Sequence, residues 1–305
     1  MEVLLKTKSN VQPNLKPVNS TFSRLDSHNL KCRNKYIPLG SNTIIMGVLN
    51  MTPDSFYDGG KFTSIDTALK HVEKMISEGA DIIDIGGEST RPASLSITKE
   101  QECERVIPVI SEINKNFDTI ISIDTTKSEV ALEALKEGAS IINDISGLNF
   151  DAKIADAASE YKAGLVLSHT SGRPEVMQEN TQYESLLEDI ISSLSSSVNK
   201  ALDRGVESES IVVDPGFGFG KTAEQNLLLL KNLHRICELG KPVLIGPSNK
   251  SFIGKVLKAK VNERIEGTAA TVAIGIANGA SIIRVHDVEQ MKKVAVMADA
   301  VMNIN

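Results

Sequence analysis

Polar side chains follow a series of short apolar segments, each at the point where a segment ends. Asn50, Asp124, Asn143, Asp214 and His286 occupy five such positions, and the series extends to seven of eight segment ends with His169 and the stretch 248–251. Each residue alone has a second interpretation as a cap or turn residue. Because an unpaired buried carboxylate is costly, Asp124 and Asp214 beside Asn143 and Lys250 predict a ligand with several N–H donors, such as a pyrimidinone ring.

A second group of side chains suits an anion. Arg91 offers a planar fork to an oxyanion, and Arg284 and His286 leave the last apolar segment together. The three side chains predict an anion clamp. Two alternatives stay open: Arg91 is a solvent-exposed surface residue, or Asp214 only pairs with Lys221 or caps a turn.

The stretch 216–222, GFGFGKT, is close to a nucleotide-binding P-loop but does not match it. The P-loop pattern needs four residues between its first glycine and the Gly-Lys pair, and here there are only three. The dinucleotide pattern G-x-G-x-x-G also fails. A P-loop hydrolase is therefore disfavoured.

Composition and charge limit the class of protein. The chain has 305 residues, of which 41% are hydrophobic and 24% charged, with a net charge of -6. These values are typical of a globular protein, and the negative charge argues against nucleic acid or an anionic membrane as the main partner. Three widely spaced cysteines form neither a disulfide framework nor a zinc pattern, and no apolar run is long enough to span a bilayer. We therefore expect a cytoplasmic protein.

The N-terminal segment differs from the rest of the chain. Residues 1–29 are rich in Ser, Asn and Lys, which predicts a disordered extension, with an organellar transit peptide as the alternative. Residues 30–305 are expected to form a single domain.

A recurring phrase indicates repeated structural units. EGADIIDIGG, EGASIINDIS and NGASIIRVHD each place a glycine suited to a left-handed helix end before an Ile-rich run. Eight apolar runs are predicted as strands, at 43–49, 82–85, 119–123, 140–142, 164–167, 211–213, 242–245 and 281–285. Amphipathic stretches, including 66–77, 99–114, 127–137, 184–203 and 223–237, separate them. Eight such units favour a (β/α)8 TIM barrel with its chemistry at the carboxyl ends of the strands. Residues 31–42 are expected to form a hairpin under the barrel.

Seven phrases then identify a family. From Lys31 to the C-terminus the chain carries, in order, MGVLNMTPDSFYDGG, DIGGESTRP, SIDT, INDISG, VVDPGFGFGK, SNKSFIG and RVHD. In this respect it resembles dihydropteroate synthase, a family of folate biosynthesis and the target of sulfonamides. The resemblance implies a TIM barrel, usually a homodimer. Its members condense 6-hydroxymethyl-7,8-dihydropterin diphosphate with p-aminobenzoate, giving 7,8-dihydropteroate and diphosphate.

The resemblance also implies roles for single residues. The pterin would contact Asp124, Asn143, Asp214, Phe219, Lys250 and Arg284. The diphosphate would contact Asn50, Arg91, Arg284 and His286, with Mg²⁺ as the cofactor beside Asn50. The p-aminobenzoate pocket would comprise Phe56, Thr90, Arg91, Pro92, Lys250 and Ser251. Asp124, Lys250, Arg284 and His286 are the expected catalytic residues.

Two positions depart from the family pattern. Ser168-His169-Thr170 stands where the family usually has M-H-M, and Ser248-Asn249-Lys250-Ser251 where it has S-R-K-S. The first change replaces a soft apolar contact to the pterin with a hydroxyl, and the second removes a positive charge. Two alternative functions follow: a non-catalytic pterin-binding paralogue, and a pterin-dependent methyltransferase domain. The TPDSF and GGESTRP segments argue against the methyltransferase.

Overall fold

Eight short apolar strands form a parallel barrel. Nearly every one of their residues is buried, as is typical of parallel sheets that are covered on both faces. The computed structural model describes residues 29–52, 61–91 and 94–304. The barrel strands are β3 (Ile44–Asn50), β4 (Ile82–Gly86), β5 (Ile120–Asp124), β6 (Ile141–Asp144), β7 (Gly164–Ser168), β8 (Ile211–Asp214), β9 (Leu244–Ile245) and β10 (Ile282–Val285). They lie in the order β8-β7-β6-β5-β4-β3-β10-β9, and a parallel bridge between Val213 and Val243 joins the two ends. The predicted (β/α)8 fold is confirmed.

Helices cover the outer surface of the barrel. They are α1 (Lys61–Ser77), α2 (Lys99–Asn116), α3 (Ser128–Lys136), α4 (Lys153–Tyr161), α5 (Leu186–Asp203), α6 (Ala223–Lys231), α7 (His234–Cys237), α8 (Ser251–Leu257), α9 (Ile265–Ala277) and α10 (Val288–Met302). The stretch 223–237, predicted as one amphipathic segment, is two helices. Asn232 ends α6 by donating its side-chain amide to the carbonyl of Leu228 at 2.8 Å, a local bond that competes with helix continuation.

The repeated phrases are helix-to-strand turns, as predicted. Gly79, Gly138 and Gly279 have φ values of 97°, 119° and 102°. An L-residue with a side chain rarely adopts such values, so glycine is required where each helix turns back into the next strand. The repetition in the sequence therefore reflects a repeated backbone requirement.

A hairpin closes the amino-terminal end of the barrel. Strands β1 (Asn29–Cys32) and β2 (Lys35–Pro38) pair antiparallel. Their buried side chains Leu30, Cys32 and Ile37 pack against the lower barrel residues, among them Met46 and Val166. This end of the barrel is consequently filled with apolar side chains, and the hairpin prediction is confirmed.

The hairpin also marks the start of the described structure. Of the predicted extension, residues 1–29, only Asn29 lies inside the described residues, where it begins β1. Among the described helices, none combines the length and the apolar character needed to cross a membrane.

Candidate active site

Strand register aligns the polar residues at the carboxyl-terminal end of the barrel. Asn50 pairs with Gly86, Gly86 with Asp124, and Asp124 with Asn143, so these positions form one row across four neighbouring strands. Ser168 pairs with Asp214 two strands further round the barrel. The predicted convergence of strand-end side chains is therefore built into the pairing of the sheet.

Arg284 connects two carboxylates inside this mouth. Its Nε donates to Asp84 Oδ2 at 2.6 Å, and one terminal nitrogen donates to Asp124 Oδ2 at 2.7 Å. Burial opposes the charged guanidinium, but the two carboxylates outweigh it and raise the pKa of Arg284. Burial also raises the pKa of Asp124 to about 7, against the pull of Arg284. Arg284 therefore stays charged and orients both acids.

Asp84 belongs to the site although the sequence analysis did not select it. It is 0% exposed and accepts a hydrogen bond from the amide nitrogen of Asn143 at 3.1 Å. Within the residues that the structure describes, Asp84 Oδ1 and Asn143 Oδ1 are buried and have no hydrogen-bond partner. These oxygens can accept hydrogen bonds from a ligand. The signal for Asp84 was a charged residue inside an otherwise apolar strand, I-I-D-I-G.

Asp214 ends β8 and organises the glycine-rich loop that follows. Its Oδ1 accepts the backbone N–H of Gly216 at 2.7 Å, so it does cap a turn, as the alternative interpretation held. Its side chain is nonetheless 6% exposed in the barrel mouth, and burial raises its pKa. Because the bond to Gly216 uses one oxygen, the other is available to a ligand.

The glycines of this loop permit close packing. Gly216, Gly218 and Gly220 all have positive φ, and a Cβ at Gly216 would overlap the carbonyl oxygen of His169. At these positions the loop packs against its neighbours through backbone atoms alone. Close packing therefore accounts for the glycines, and phosphate binding is not needed to explain them.

Substituting Gly216 tests this packing requirement. Gly216→Ala is expected to lower the free energy of unfolding by about 1–3 kcal/mol more than Gly240→Ala does, because overpacking against backbone adds to the φ strain. Gly240 is the matched control, since its φ of 67° resembles the 72° of Gly216, while a Cβ at Gly240 would meet no atom of the described residues within 4 Å other than those of its chain neighbours. Urea unfolding of both variants gives the difference, and equal losses would contradict the packing argument.

Lys221 serves the loop and not a phosphate. Its ammonium lies 2.9 Å from the carbonyl oxygen of Gly216, 3.1 Å from that of Phe219 and 3.0 Å from His169 Nδ1. Burial lowers the pKa of Lys221 to about 7. Within the described part of the chain, it makes no hydrogen bond to Asp214. His169, predicted as a strand-end site residue, instead directs its ring to Lys221, and burial, followed by that charge, lowers its pKa to about 3.

Lys250 and Phe219 face each other across the mouth. The ammonium of Lys250 lies 4.1 Å from the centre of the Phe219 ring. Burial, and then Arg284, lowers the pKa of Lys250 to about 8. Asn249, one of the two departures, has a φ of 58°, a conformation that asparagine tolerates better than most residues. Arg264 donates to its carbonyl at 2.8 Å.

His286 lies beside the cationic residues. Its Nδ1 is 3.0 Å from Ser248 Oγ. Burial first, and then the charges of Arg284, Lys250 and Arg91 in that order, lower the pKa of His286 to about 4. The predicted anion clamp is thus a cluster of positive charges around a neutral imidazole, and Arg91 is part of its electrostatic surroundings although its side chain is exposed.

Three of the remaining predicted residues lie at the rim. Thr90 lines a cavity together with Asp124, Asn50 is half-buried at the end of β3, and Ser251 is exposed at the first residue of α8. Phe56 and Pro92, predicted for the p-aminobenzoate pocket, lie outside the described residues. Thr170, at the other departure from the family pattern, donates its hydroxyl to the carbonyl of Gly172 at 2.8 Å.

Comparison with known proteins agrees with this geometry. The model of the family described as pterin binding enzyme matches residues 46–286. The dihydropteroate synthase of Clostridium beijerinckii is 49% identical over 89% of this chain and 99% of the relative. A Clostridium difficile dihydropteroate synthase solved with pteroic acid has a TM-score of 0.82 and 45% identity, covering 86% of this chain and 98% of its own.

A third comparison extends the agreement to a more distant sequence. The dihydropteroate synthase of Xanthomonas albilineans, solved with 4-aminobenzoic acid, has a TM-score of 0.85 and 35% identity, covering 92% of this chain and 100% of its own. Family model, sequence relatives and barrel architecture agree over most of the length. The chain belongs to the dihydropteroate synthase family of pterin-binding enzymes.

Proposed function

We propose that this chain condenses 6-hydroxymethyl-7,8-dihydropterin diphosphate with p-aminobenzoate, forming 7,8-dihydropteroate and diphosphate. The observation that carries the proposal is the position of Arg284, whose guanidinium joins Asp84 and Asp124 in the same mouth that holds His286. Arg284 is therefore the residue at which the acceptors for a nitrogen-rich ring meet the cations for a leaving anion. No observation on the described residues favours the paralogue or the methyltransferase.

The pterin ring is assigned to the buried acceptors. Its N–H donors match Asp214 and the unpartnered oxygens of Asp84 and Asn143. Lys250 donates to the ring carbonyl, and Phe219 gives one wall of the pocket. Such a site rejects analogues that lack a hydrogen-bonding group, because its buried polar atoms would then stay unpaired.

The diphosphate is assigned to the cationic side. Arg91 and Arg284 supply positive charge, while His286 is neutral at pH 7 and supplies a hydrogen bond from its second ring nitrogen. As the bond between the methylene carbon and the diphosphate oxygen breaks, the electron pair leaves with the diphosphate. Charge develops on these oxygens, so preorganised donors there stabilise the transition state.

Carbon–nitrogen bond formation follows. The pterin ring nitrogen and Asp124 stabilise the methylene cation, the lone pair of the arylamine forms the new bond, and the resulting anilinium gives its proton to water at the mouth. Thr90, Arg91, Lys250 and Ser251, with Phe56 and Pro92, are the residues proposed to hold p-aminobenzoate at the outer rim. An arylamine is a weak nucleophile and needs a reactive electrophile. Departure of the diphosphate before the attack provides one, because it leaves a methylene cation.

Mg²⁺ fits the site in a restricted way. Among residues 29–52, 61–91 and 94–304, no group of three or more His, Cys, Asp or Glu side chains is arranged to hold a metal ion. Asn50 offers one amide oxygen, and Mg²⁺ commonly takes one or two protein ligands and completes its shell with substrate phosphates and water. When bound, the ion would neutralise the leaving diphosphate beside Asn50.

A homodimer is the proposed assembly, and the face formed by α9 and α10 is its proposed contact. Ile274, Met297 and Val301 are exposed there, with Met297 66% accessible. Met297 and Val301 line a shallow groove with almost no polar surface, which also includes Ala273 and Ala277. Apolar patches of this kind on a protein surface commonly mark an interaction site.

Met297→Glu is expected to shift the protein from dimer to monomer, because it places a charge in the centre of this apolar face. Light scattering after size exclusion gives the mass. Leu202→Glu is the control, since Leu202 is also exposed but lies on α5. A Met297→Glu protein that remains dimeric would assign the contact to another face.

Turnover of the two substrates tests the proposed activity. Diphosphate release is measured with the pterin diphosphate and Mg²⁺, with and without p-aminobenzoate. Release that depends on p-aminobenzoate and yields dihydropteroate is the expected result. Calorimetric binding of the pterin without turnover would overturn the proposal in favour of the non-catalytic paralogue.

A further inference from the structure

The loop after β7 is joined to the glycine-rich loop after β8 by side-chain to backbone hydrogen bonds. Gln178 donates to the carbonyl of Gly218 at 2.6 Å, and the hydroxyl of Tyr183 donates to the carbonyl of Gly220 at 2.9 Å. Ser171 donates to the carbonyl of Met177 at 3.0 Å, which closes the β7 loop on itself. The two loops thus form one unit on the wall of the barrel mouth.

Met177 is the apolar centre of this unit. It is 1% exposed and forms a small cluster with Ile145 and Phe219 that is separate from the main core. The three residues come from the segments after β6, β7 and β8. The far side of this cluster reaches the reaction site, because the ring of Phe219 carries the ammonium of Lys250 at 4.1 Å.

Thr170 leaves room for the Met177 thioether. Its Oγ lies 3.9 Å from Met177 Sδ and donates to the carbonyl of Gly172, so the hydroxyl is directed into its own loop. Methionine is flexible and fills irregular gaps, and its sulfur makes favourable contacts with aromatic rings. Met177, seven positions further along the loop, therefore provides soft apolar packing next to Thr170.

Resting on the proposed function, we propose that Met177 is a positioning residue for the pterin. It holds Phe219 and Ile145 as the apolar wall of the ring pocket and supplies the soft apolar support that Thr170 lacks. Met177 acts on the pterin through Phe219. It also affects Lys250, because the Lys250 ammonium lies against the same ring.

Met177→Ala is expected to weaken binding of the pterin diphosphate about tenfold, with little change in the KM for p-aminobenzoate. Calorimetry on the full chain, without p-aminobenzoate, gives the Kd. Met291→Ala is the matched control: Met291 is also 1% exposed, but it lies on α10 in the main core. It is expected to lower thermal stability and leave the pterin Kd unchanged.

A second substitution separates positioning from a purely structural role. Thr170→Met in the Met177→Ala background is expected to return the Kd to within about threefold of the parent, because the longer side chain reaches the space beside Sδ. An unchanged Kd in Met177→Ala, or recovery of thermal stability without recovery of the Kd, would overturn the inference.

A further variant, Met177→Leu, keeps the side-chain volume and covers the case in which the alanine variant does not fold. With this variant, a Kd like that of the parent supports apolar support of Phe219, and a loss as large as expected for alanine would overturn it. Loss of turnover in the parent chain would instead concern the proposed function.

Discussion

Arg284→Met is expected to destabilise the protein by about 3–5 kcal/mol and to lower kcat/KM by at least about 10²–10³. The stability loss arises because Asp84 is 0% exposed and would keep a buried charge without its cation. The activity loss is expected because the same guanidinium orients Asp124 and, on the proposed function, would face the leaving anion. Urea unfolding and steady-state kinetics measure the two effects separately.

A second-site substitution distinguishes the two effects of Arg284. Asp84→Asn removes the uncompensated charge, so in the Arg284→Met background it is expected to recover part of the stability and none of the activity. Arg284→Lys keeps a charge but loses the two-pronged geometry, and we expect it to be intermediate in stability. Full activity of Arg284→Met would remove this residue from the proposed mechanism.

Lys250→Met is expected to lower kcat/KM by about 10²–10³ while raising stability at pH 7. Because burial lowers the pKa of Lys250 to about 8, the folded protein binds fewer protons than the unfolded chain between that pH and its ordinary pKa. Stability from this residue therefore rises with pH across that window, and below it the full cost of burying the charge is present. Methionine removes that cost.

Urea unfolding at pH 7 and at pH 9, combined with kinetics, checks both parts of the Lys250 prediction. The gain in stability of Lys250→Met over the parent is expected to shrink at the higher pH. Lys255→Met, on the exposed side of the helix that follows Lys250, is the control and is expected to change neither quantity. Loss of stability together with activity would mean that Lys250 has a structural role.

Much of the site was predictable because strand ends in a barrel meet at one face. Asp124, Asn143 and Asp214 each follow directly after an apolar run. The strand register then places Asn50, Asp124 and Asn143 in one row. The position of each strand end is a local property of the sequence. Which partners a side chain contacts depends on register and long-range packing, which no local pattern contains.

Two residues show where local reasoning fails. Asp84 lies two positions before the end of β4 and points to the same side as Gly86, so it enters the mouth from below the row of strand ends. Lys221 matches part of a nucleotide-binding pattern, whereas its partners are carbonyls of its own loop and His169. Both are buried titratable side chains, and only the fold shows which groups surround each of them.

The hairpin beneath the barrel has a consequence for the order of events. In the part of the chain that the structure describes, Leu30, Cys32 and Ile37 fill the amino-terminal end, so the mouth of the barrel is at the carboxyl-terminal face. On the proposed function, we therefore expect the pterin diphosphate to bind before p-aminobenzoate, because the proposed pterin acceptors lie deeper in the mouth than the residues proposed for the arylamine. Dihydropteroate, with its ring innermost, is then expected to leave by the same route.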